Sequence, residues 1–574
     1  MEDQKLESIL NLSLEATKEE RRKSPILQSG YNEEDNRWDV VVKYAGDISE
    51  LVTNGIIIAV LYNEYAVLNV PESEIERLTD YPQITFIEKP KPLYFAAQAG
   101  KQAACITPVV RQGLTGKGCL VGVIDTGIDY LHSAFRNTDG STRIVSIWDQ
   151  TVEGNPPEGY LRGTEYSREQ IQEALDAGGR QAAYEIVNSK DVSGHGTGVA
   201  GIAAGSGRAE GWNQGVAPGS ELVIVKLGTP DAGNLPRTTE LMMGIDYCIR
   251  KSVDMNMPIA INLSYGNTYG SHDGSSLLET YIDSVNGVGR NCICIGTGNE
   301  GASEGHTEGR VTDGQPERVE LAVSGYQTGM SVQLWKSYVD EFEIAIVTPS
   351  GVRLGPLQEI LGAARLRTAQ TEILFYYGEP APYSLSQEIF FSFLPVQNYI
   401  EEGVWTFEIY PRKIVRGDYQ MWLPSQSALN IGTRFLRPTP DHTLTIPSTA
   451  GKVITVGAYD IGYDSYADFS GRGYYAEWYN GKPDLVAPGV DIYCPAPGGG
   501  FTTRTGTSFA TPFVTGSAAL LMEWGVIEGN DPFLYGEKMK AYLRNGAKRI
   551  RGEAQYPNIR VGYGALCLSE TLPN

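Results

Sequence analysis

Residues 504–522 read RTGTSFATPFVTGSAALLM. A glycine–threonine turn runs into Ser508, and Ser508 runs into small and apolar residues. A serine ahead of a helix ordinarily caps it, because its oxygen accepts a hydrogen bond from a free amide of the first turn. A nucleophile would occupy the same kind of position. Which of the two Ser508 is depends on what the rest of the chain supplies.

Upstream, from about residue 105, strand and helix patterns alternate. CLVGVIDTGID (119–129), SELVIVKLG (220–228), PIAINLSYG (258–266) and CICIGTGNEG (292–301) are short apolar runs that end in glycine or polar residues. Helical stretches such as TTELMMGIDYCIRKS (238–252) lie between them. Buried parallel strands with crossover helices have this pattern. Ligands of such sheets gather at the carboxyl ends of the strands, which here carry Asp125, Ser264 and Asn299. The alternation stops near 308. Residues 309–441 are short apolar and aromatic strands separated by turns, an all-β segment of sandwich or jelly-roll type. KVITVGAYD (452–460) and DLVAPGVDIYCP (484–495) then resume the α/β pattern, so the β segment is read as an insertion. Its tryptophans Trp335, Trp405 and Trp422 are expected in core packing, with a binding role as the alternative, and the insert as a stiffening element.

The N-terminal part reads differently. In residues 1–36, Leu6, Ile9, Leu10 and Leu14 fall near helical spacing, which suggests a short amphipathic helix and a polar linker. Residues 37–98 form a small α+β unit of strand, hairpin, helix (PESEIERLTDYP, 71–82) and strand. KPKPLYFAAQAGKQAA (89–104) reads as an extended, accessible linker.

Bulk properties narrow the function. At 574 residues the chain is expected to hold several domains. Acidic residues outnumber basic ones, 69 to 47, which argues against nucleic acid as a partner. No run is apolar enough to be read as a membrane span, and the start lacks the pattern of a signal peptide, so cytoplasmic synthesis is expected. The seven cysteines show no metal or disulfide-framework spacing, and Cys292 and Cys294 are expected to pack as small hydrophobes. This suggests a reducing compartment or an unusual export route.

Three stretches carry chemistry together: VIDTGID with Asp125, SGHGTGVAGIAAG with His195, and GTSFATP with Ser508. They supply acid, base and nucleophile in the order Asp, His, Ser. All three resemble the active-site motifs of the subtilisin-like serine proteases. GVAPGSELVIVKL, INLSYG, GTGNEG and DLVAPGV resemble other segments of that family in the same order. The resemblance covers about 105–308 and 442–574, and the catalytic domain is assigned to 99–308 and 442–574. It implies an α/β fold with a parallel sheet flanked by helices, and an endopeptidase using Asp125, His195 and Ser508. It also implies Asn299 in the oxyanion hole and Ser264, Tyr265 and Gly266 along the substrate. Residues 37–98 resemble the family's prodomain, which is expected to be cut near Tyr94–Gly100, with Gln98 as one candidate, and to occupy the substrate groove. Partners are thus a protein or peptide substrate and the chain's own prodomain.

The layout also resembles the clostridial germination-specific Csp subgroup, which would add zymogen activation and spore association. The family's strong calcium site is not expected, because DYLHSAF and the loop after residue 204 lack its oxygen ligands. No cofactor or metal is assigned. Phe513 stands where the family commonly has histidine. His132, His272, His306 and His442 are read as surface or loop residues. A catalytically idle scaffold on the same fold is the alternative function.

Overall fold

The computed structural model describes residues 5–6, 10, 13–14, 16–18, 30–33, 35–61, 64–88, 96–160, 162–207, 214–228, 236–357, 362–378, 385–474 and 481–572. It divides into two compact units, Met1–Phe95 and Ala96–Asn574.

In the first unit, β1 (Tyr31–Asn32), β2 (Arg37–Tyr44), β3 (Ile57–Leu61), β4 (Tyr65–Pro71) and β5 (Ile84–Glu88) form one antiparallel sheet, with β2 at its centre. Trp38, Val40 and Val42 alternate onto one face and are fully buried with Leu68, Val70 and Ile87. The expected helix over 71–82 is instead two short 3₁₀ turns, Glu72–Glu74 and Glu76–Asp80, which bury Ile75 and Leu78. Most of the helix expected in 1–36 lies outside the described residues. Leu6 and Leu10 nevertheless sit in the same core, and Leu6 pairs with Ile87. This segment therefore contributes to the unit that it was expected only to precede.

In the second unit, the stretch read as an extended linker forms α1 (Ala96–Ala103), followed by α2 (Ile106–Arg111). Alanine has the highest helix propensity, and the prolines of this stretch all precede the helix. The expected cleavage window straddles its start: Tyr94 and Phe95 lie outside the described residues, and Gln98 is in the first turn.

The central sheet uses β6 (Leu120–Asp125), β7 (Ile144–Asp149), β8 (Thr164–Ser167), β9 (Glu221–Lys226), β10 (Ile259–Leu263) and β11 (Asn291–Gly296). Helices α3 (Arg168–Asp176), α4 (Arg180–Ile186), α5 (His195–Ala204), α6 (Thr238–Met255) and α7 (Leu277–Val285) lie between these strands in the chain. The strand order is β11-β10-β6-β9-β7, all parallel, with β8 antiparallel at the edge. Both faces of the sheet are covered, and β6, β10 and β11 are buried along their whole length.

The chain then leaves this sheet. β12 (His306–Arg310), β13 (Glu317–Val323), β14 (Met330–Ser337), β15 (Glu341–Val347), β16 (Arg353–Leu357), β17 (Gly362–Arg367), β18 (Thr371–Tyr377), β19 (Ser386–Pro395), β20 (Gly403–Lys413), β21 (Asp418–Trp422) and β22 (Arg434–Phe435) make two antiparallel sheets. Their orders are β12-β21-β14-β19-β18-β17 and β16-β15-β20-β13-β22. Alternating residues of both sheets fill one core, in which Phe391 meets Phe407 at 5.2 Å and Phe393 meets Trp405 at 5.1 Å between ring centroids. Trp405 packs in this core, whereas Trp335 and Trp422 line a cavity at its margin.

The chain returns through β23 (Ile454–Asp460), which pairs with β11 in parallel. β24 (Ser465–Tyr466), β25 (Leu485–Pro488), β26 (Ile492–Ala496) and β27 (Gly500–Arg504) follow, then α8 (Thr507–Met522) and α9 (Gly536–Asn545). α8 packs against α5, β10 and β11, and nearly every residue of it is buried. Thr507–Ile527 is long and apolar enough to cross a membrane by length and composition. It is also 83% buried inside this unit, as a core helix would be. Phe513, on α8, is buried against Gly100 of α1, where even a Cβ would come within 2.6 Å of the ring.

Two expectations are corrected here. Cys105 and Cys567 form a disulfide across a sequence separation of 462, which local spacing cannot reveal. The other five cysteines are buried thiols, Cys292 and Cys294 among them. Furthermore, His132, His272, His306 and His442 are not surface residues, being 1, 1, 1 and 5% exposed. Packing between elements encloses them: His272 and His306 each stack on Trp422.

Candidate active site

Asp125 ends β6, Ser264 follows β10 directly, and Asn299 lies three residues past β11. These three strands are neighbours, so their carboxyl ends open onto one place.

Asp125 is fully buried. Its Oδ1 accepts from the Thr126 amide at 2.8 Å and pairs with His195 Nδ1 at 2.6 Å. Its Oδ2 has no hydrogen-bond partner among the described residues. His195 opens α5, and the residue before it, Gly194, has φ +73°, the left-handed region that glycine enters without strain. A Cβ at Gly194 would also lie 2.7 Å from Pro497.

The sequence reading missed Asp191. Its Oδ1 accepts from Thr126 Oγ1 and the Gly194 amide, both at 2.8 Å, and its Oδ2 accepts from the Thr197 amide and hydroxyl at 2.9 and 2.6 Å. Thr126 Oγ1 in turn accepts from the Gly196 amide at 2.9 Å. Asp191 thereby caps α5 and ties it to the end of β6, which fixes His195 over Asp125. An aspartate ahead of a glycine-flanked helix start was the available signal. Burial works against a charge on His195, but the charge of Asp125 and its hydrogen bond outweigh this and raise the imidazole above its ordinary pKa.

Ser508 is the second residue of α8, and the cap position belongs to Gly506 at φ +148°. Ser508 is therefore not the cap that its local sequence suggested. Its Oγ donates to the Ser264 carbonyl at 3.4 Å, while Ser264 Oγ donates to the Ser508 carbonyl at 3.2 Å. Asn299 Oδ1 accepts from the Thr507 amide at 3.1 Å and the Thr507 hydroxyl at 3.2 Å, leaving Nδ2 to donate. A cavity of about 350 Å³ is lined by Ser264, Tyr265, Gly266, Asn299 and Ser508, together with Glu300, Thr445 and Gln426 of the insert. Residues 264–266 line it as irregular chain rather than as a strand.

The structure therefore joins Asp125 to His195, and Ser508 to Asn299 and Ser264. Phe509 bridges the two groups, its ring centroid 5.1 Å from that of His195. Ser508 and His195 are not themselves hydrogen-bonded; such bonds are often long before substrate binds.

The sequence model of the subtilase family matches residues 116–379 and 423–564, and that of the Csp protease B prodomain matches residues 4–91. The solved structure of the Clostridium perfringens CspB protease is 38% identical to this chain. It covers 82% of this chain and 96% of its own, with a TM-score of 0.76. The PII-type proteinase of Lactococcus lactis subsp. cremoris is 24% identical over 497 residues, 79% of this chain and 25% of that protein. The minor extracellular protease Vpr of Bacillus subtilis is 24% identical over 79% of this chain and 51% of its own length. The chain thus spans between a quarter and a half of those two curated relatives.

Proposed function

The chain belongs to the subtilase family, and on that basis we propose that it is a serine endopeptidase working through an acyl-enzyme. The observation that carries the reading is the 2.6 Å contact between a buried carboxylate and a histidine whose other nitrogen is left for proton exchange. Ser508 Oγ attacks the substrate carbonyl and its proton passes to His195 Nε2. Asp125 holds the Nδ1–H tautomer and stabilises the imidazolium that forms. The oxyanion takes hydrogen bonds from Asn299 Nδ2 and from the Ser508 amide. That amide lies in the first turn of α8, where no preceding carbonyl claims it. His195 then gives its proton to the leaving amine, and water releases the acyl group by the reverse path. Ser264, Tyr265 and Gly266 lie along the substrate backbone.

The prodomain is the first substrate, cut near Tyr94–Gly100, and the mature enzyme activates a further zymogen of the spore-germination kind. A serine-directed fluorophosphonate should label the protein on the peptide that holds Ser508. Labelling elsewhere, or none on folded protein, would favour the idle scaffold.

Two outcomes are expected from kinetics. Asn299→Ala should lower kcat by about 10²–10³, the cost of removing one such donor in subtilisin itself, with a much smaller change in KM. For the pH profile, the base must be neutral, so kcat/KM should fall as pH drops through the His195 pKa. Because Asp125 raises that pKa, the acid limb should lie above the ordinary value of about 6.5. A limb at or below 6.5 would contradict the arrangement.

A further inference from the structure

The chain enters the β-sandwich through β12 and leaves it after β22, and a cluster of imidazoles sits where these two crossings meet. His306 lies on β12 opposite Trp422, and Glu308 lies two residues on, opposite Gln420 and on the same face. His442 comes from the returning chain. One ligand atom from each of His306, Glu308 and His442 falls within 4.8 Å of the other two.

The hydrogen bonds of His306 leave two acceptors facing each other. His306 Nδ1 faces the Thr439 carbonyl at 3.1 Å and Nε2 faces Gln420 Oε1 at 2.6 Å, while Gln420 Nε2 donates to Glu308 at 2.9 Å. A neutral imidazole has one N–H, so one of its nitrogens presents a lone pair to an oxygen. Turning the Gln420 amide round relieves that contact but sets its oxygen against the Glu308 carboxylate.

His442 adds an independent sign. It is 5% exposed, and among the described residues neither ring nitrogen meets hydrogen-bond geometry. The His272 backbone lies nearby without meeting that geometry. Its backbone holds a left-handed φ of +60°, fixed through the bond from Trp422 Nε1 to its carbonyl at 3.1 Å. Its ring lies 3.9 Å from Tyr474 and 5.0 Å from Trp422, centroid to centroid. Buried imidazole nitrogens with no partner are rare and call for an explanation. The third histidine, His272, stands outside the group whose ligand atoms converge, and its nitrogens face the Leu444 and Thr268 carbonyls at 2.7 and 3.2 Å.

We propose that His306, Glu308 and His442 bind a divalent transition-metal ion of the zinc class at the neck of the insert. The donor set is two imidazoles and a carboxylate, which suits zinc, and with Nδ1–H of His306 bonded to a backbone carbonyl, Nε2 would take the ion in place of its present contact with Gln420. Metal bonds of about 2.0–2.2 Å require the three atoms to close up by roughly 1 Å, which takes a movement of the exposed Glu308 and a small turn of the two imidazoles. A cavity of about 380 Å³, lined in part by Gln420, Trp422 and His442, gives the ion a way in. The bound ion would staple the entering chain to the leaving chain, and its binding energy would add to the stability of the insert.

The test is titration of chelator-stripped, full-length protein with zinc alone, followed by cobalt, whose visible absorption reports direct imidazole ligation. One ion per chain is expected, with a higher Tm when zinc is present. Glu308→Gln changes an exposed side chain and should weaken binding tenfold or more, and His442→Gln should abolish the Tm response. Circular dichroism of the metal-free variants checks that they fold. Equal zinc binding by wild type and both variants overturns the proposal, because the ion then sits elsewhere. No uptake also overturns it.

Discussion

Ser508→Ala is expected to leave the purified chain whole, while the wild type separates near residues 94–100. Intact mass measured on the two proteins side by side reads this directly. On a peptide substrate, kcat should fall by about 10⁶, the magnitude for loss of the serine in subtilisin itself, leaving only the rate that oxyanion binding and substrate positioning sustain. The fold should tolerate the change. Ser508 is not the cap of α8, and its hydroxyl makes one long bond, 3.4 Å, to the Ser264 carbonyl. The Tm should therefore stay close to that of the wild type, which separates loss of the nucleophile from loss of structure. Cleavage of both proteins at the same bond would mean that another protease makes the cut.

Asp125→Asn should cost about 10⁴ in kcat, the loss measured for the same change in another Ser-His-Asp triad. The physical reason lies in the two bonds at Oδ1. The Thr126 amide donates to it at 2.8 Å and His195 Nδ1 meets it at 2.6 Å. Because both bonds fall on one atom, an asparagine that keeps its oxygen there gives His195 a neutral acceptor in place of a charged one, and one that turns its NH₂ there meets the Thr126 amide and favours the Nε2–H tautomer, which leaves no base facing the serine. The carboxylate that raises the His195 pKa is also gone, so the acid limb of the residual activity should move down in pH. A loss below tenfold, or an unmoved limb, would show that Asp125 does not orient this histidine.

The parts of the site that could be read from sequence are those whose reasons are local. VIDTGID, SGHGTG and GTSFATP place a strand end, a helix start and a second helix start, and all three elements form where they were expected. The β-sandwich was visible in the same way, because alternation along each strand marks its core face. Features that depend on distant partners were not visible. The Cys105–Cys567 bond and the enclosure of His272, His306 and His442 arise from packing between segments far apart in sequence. Two errors were local ones. The alanine-rich stretch after residue 95 carried a helix signal that the neighbouring prolines overshadowed, and Asp191 stood in plain sight as a helix cap.

The insertion separates Asn299 from Ser508 by roughly two hundred residues. At about 5–20 residues per second, a ribosome needs roughly 10–40 s to cover that distance. For most of this interval β11 lacks β23 as a neighbour, and throughout it α8, the central helix of the unit, has not been made. A nascent chain therefore carries Asp125, His195 and Asn299 for many seconds before Ser508 is added. The order of synthesis thus acts as a timer that keeps a peptide-cleaving site unassembled until the sandwich has been completed.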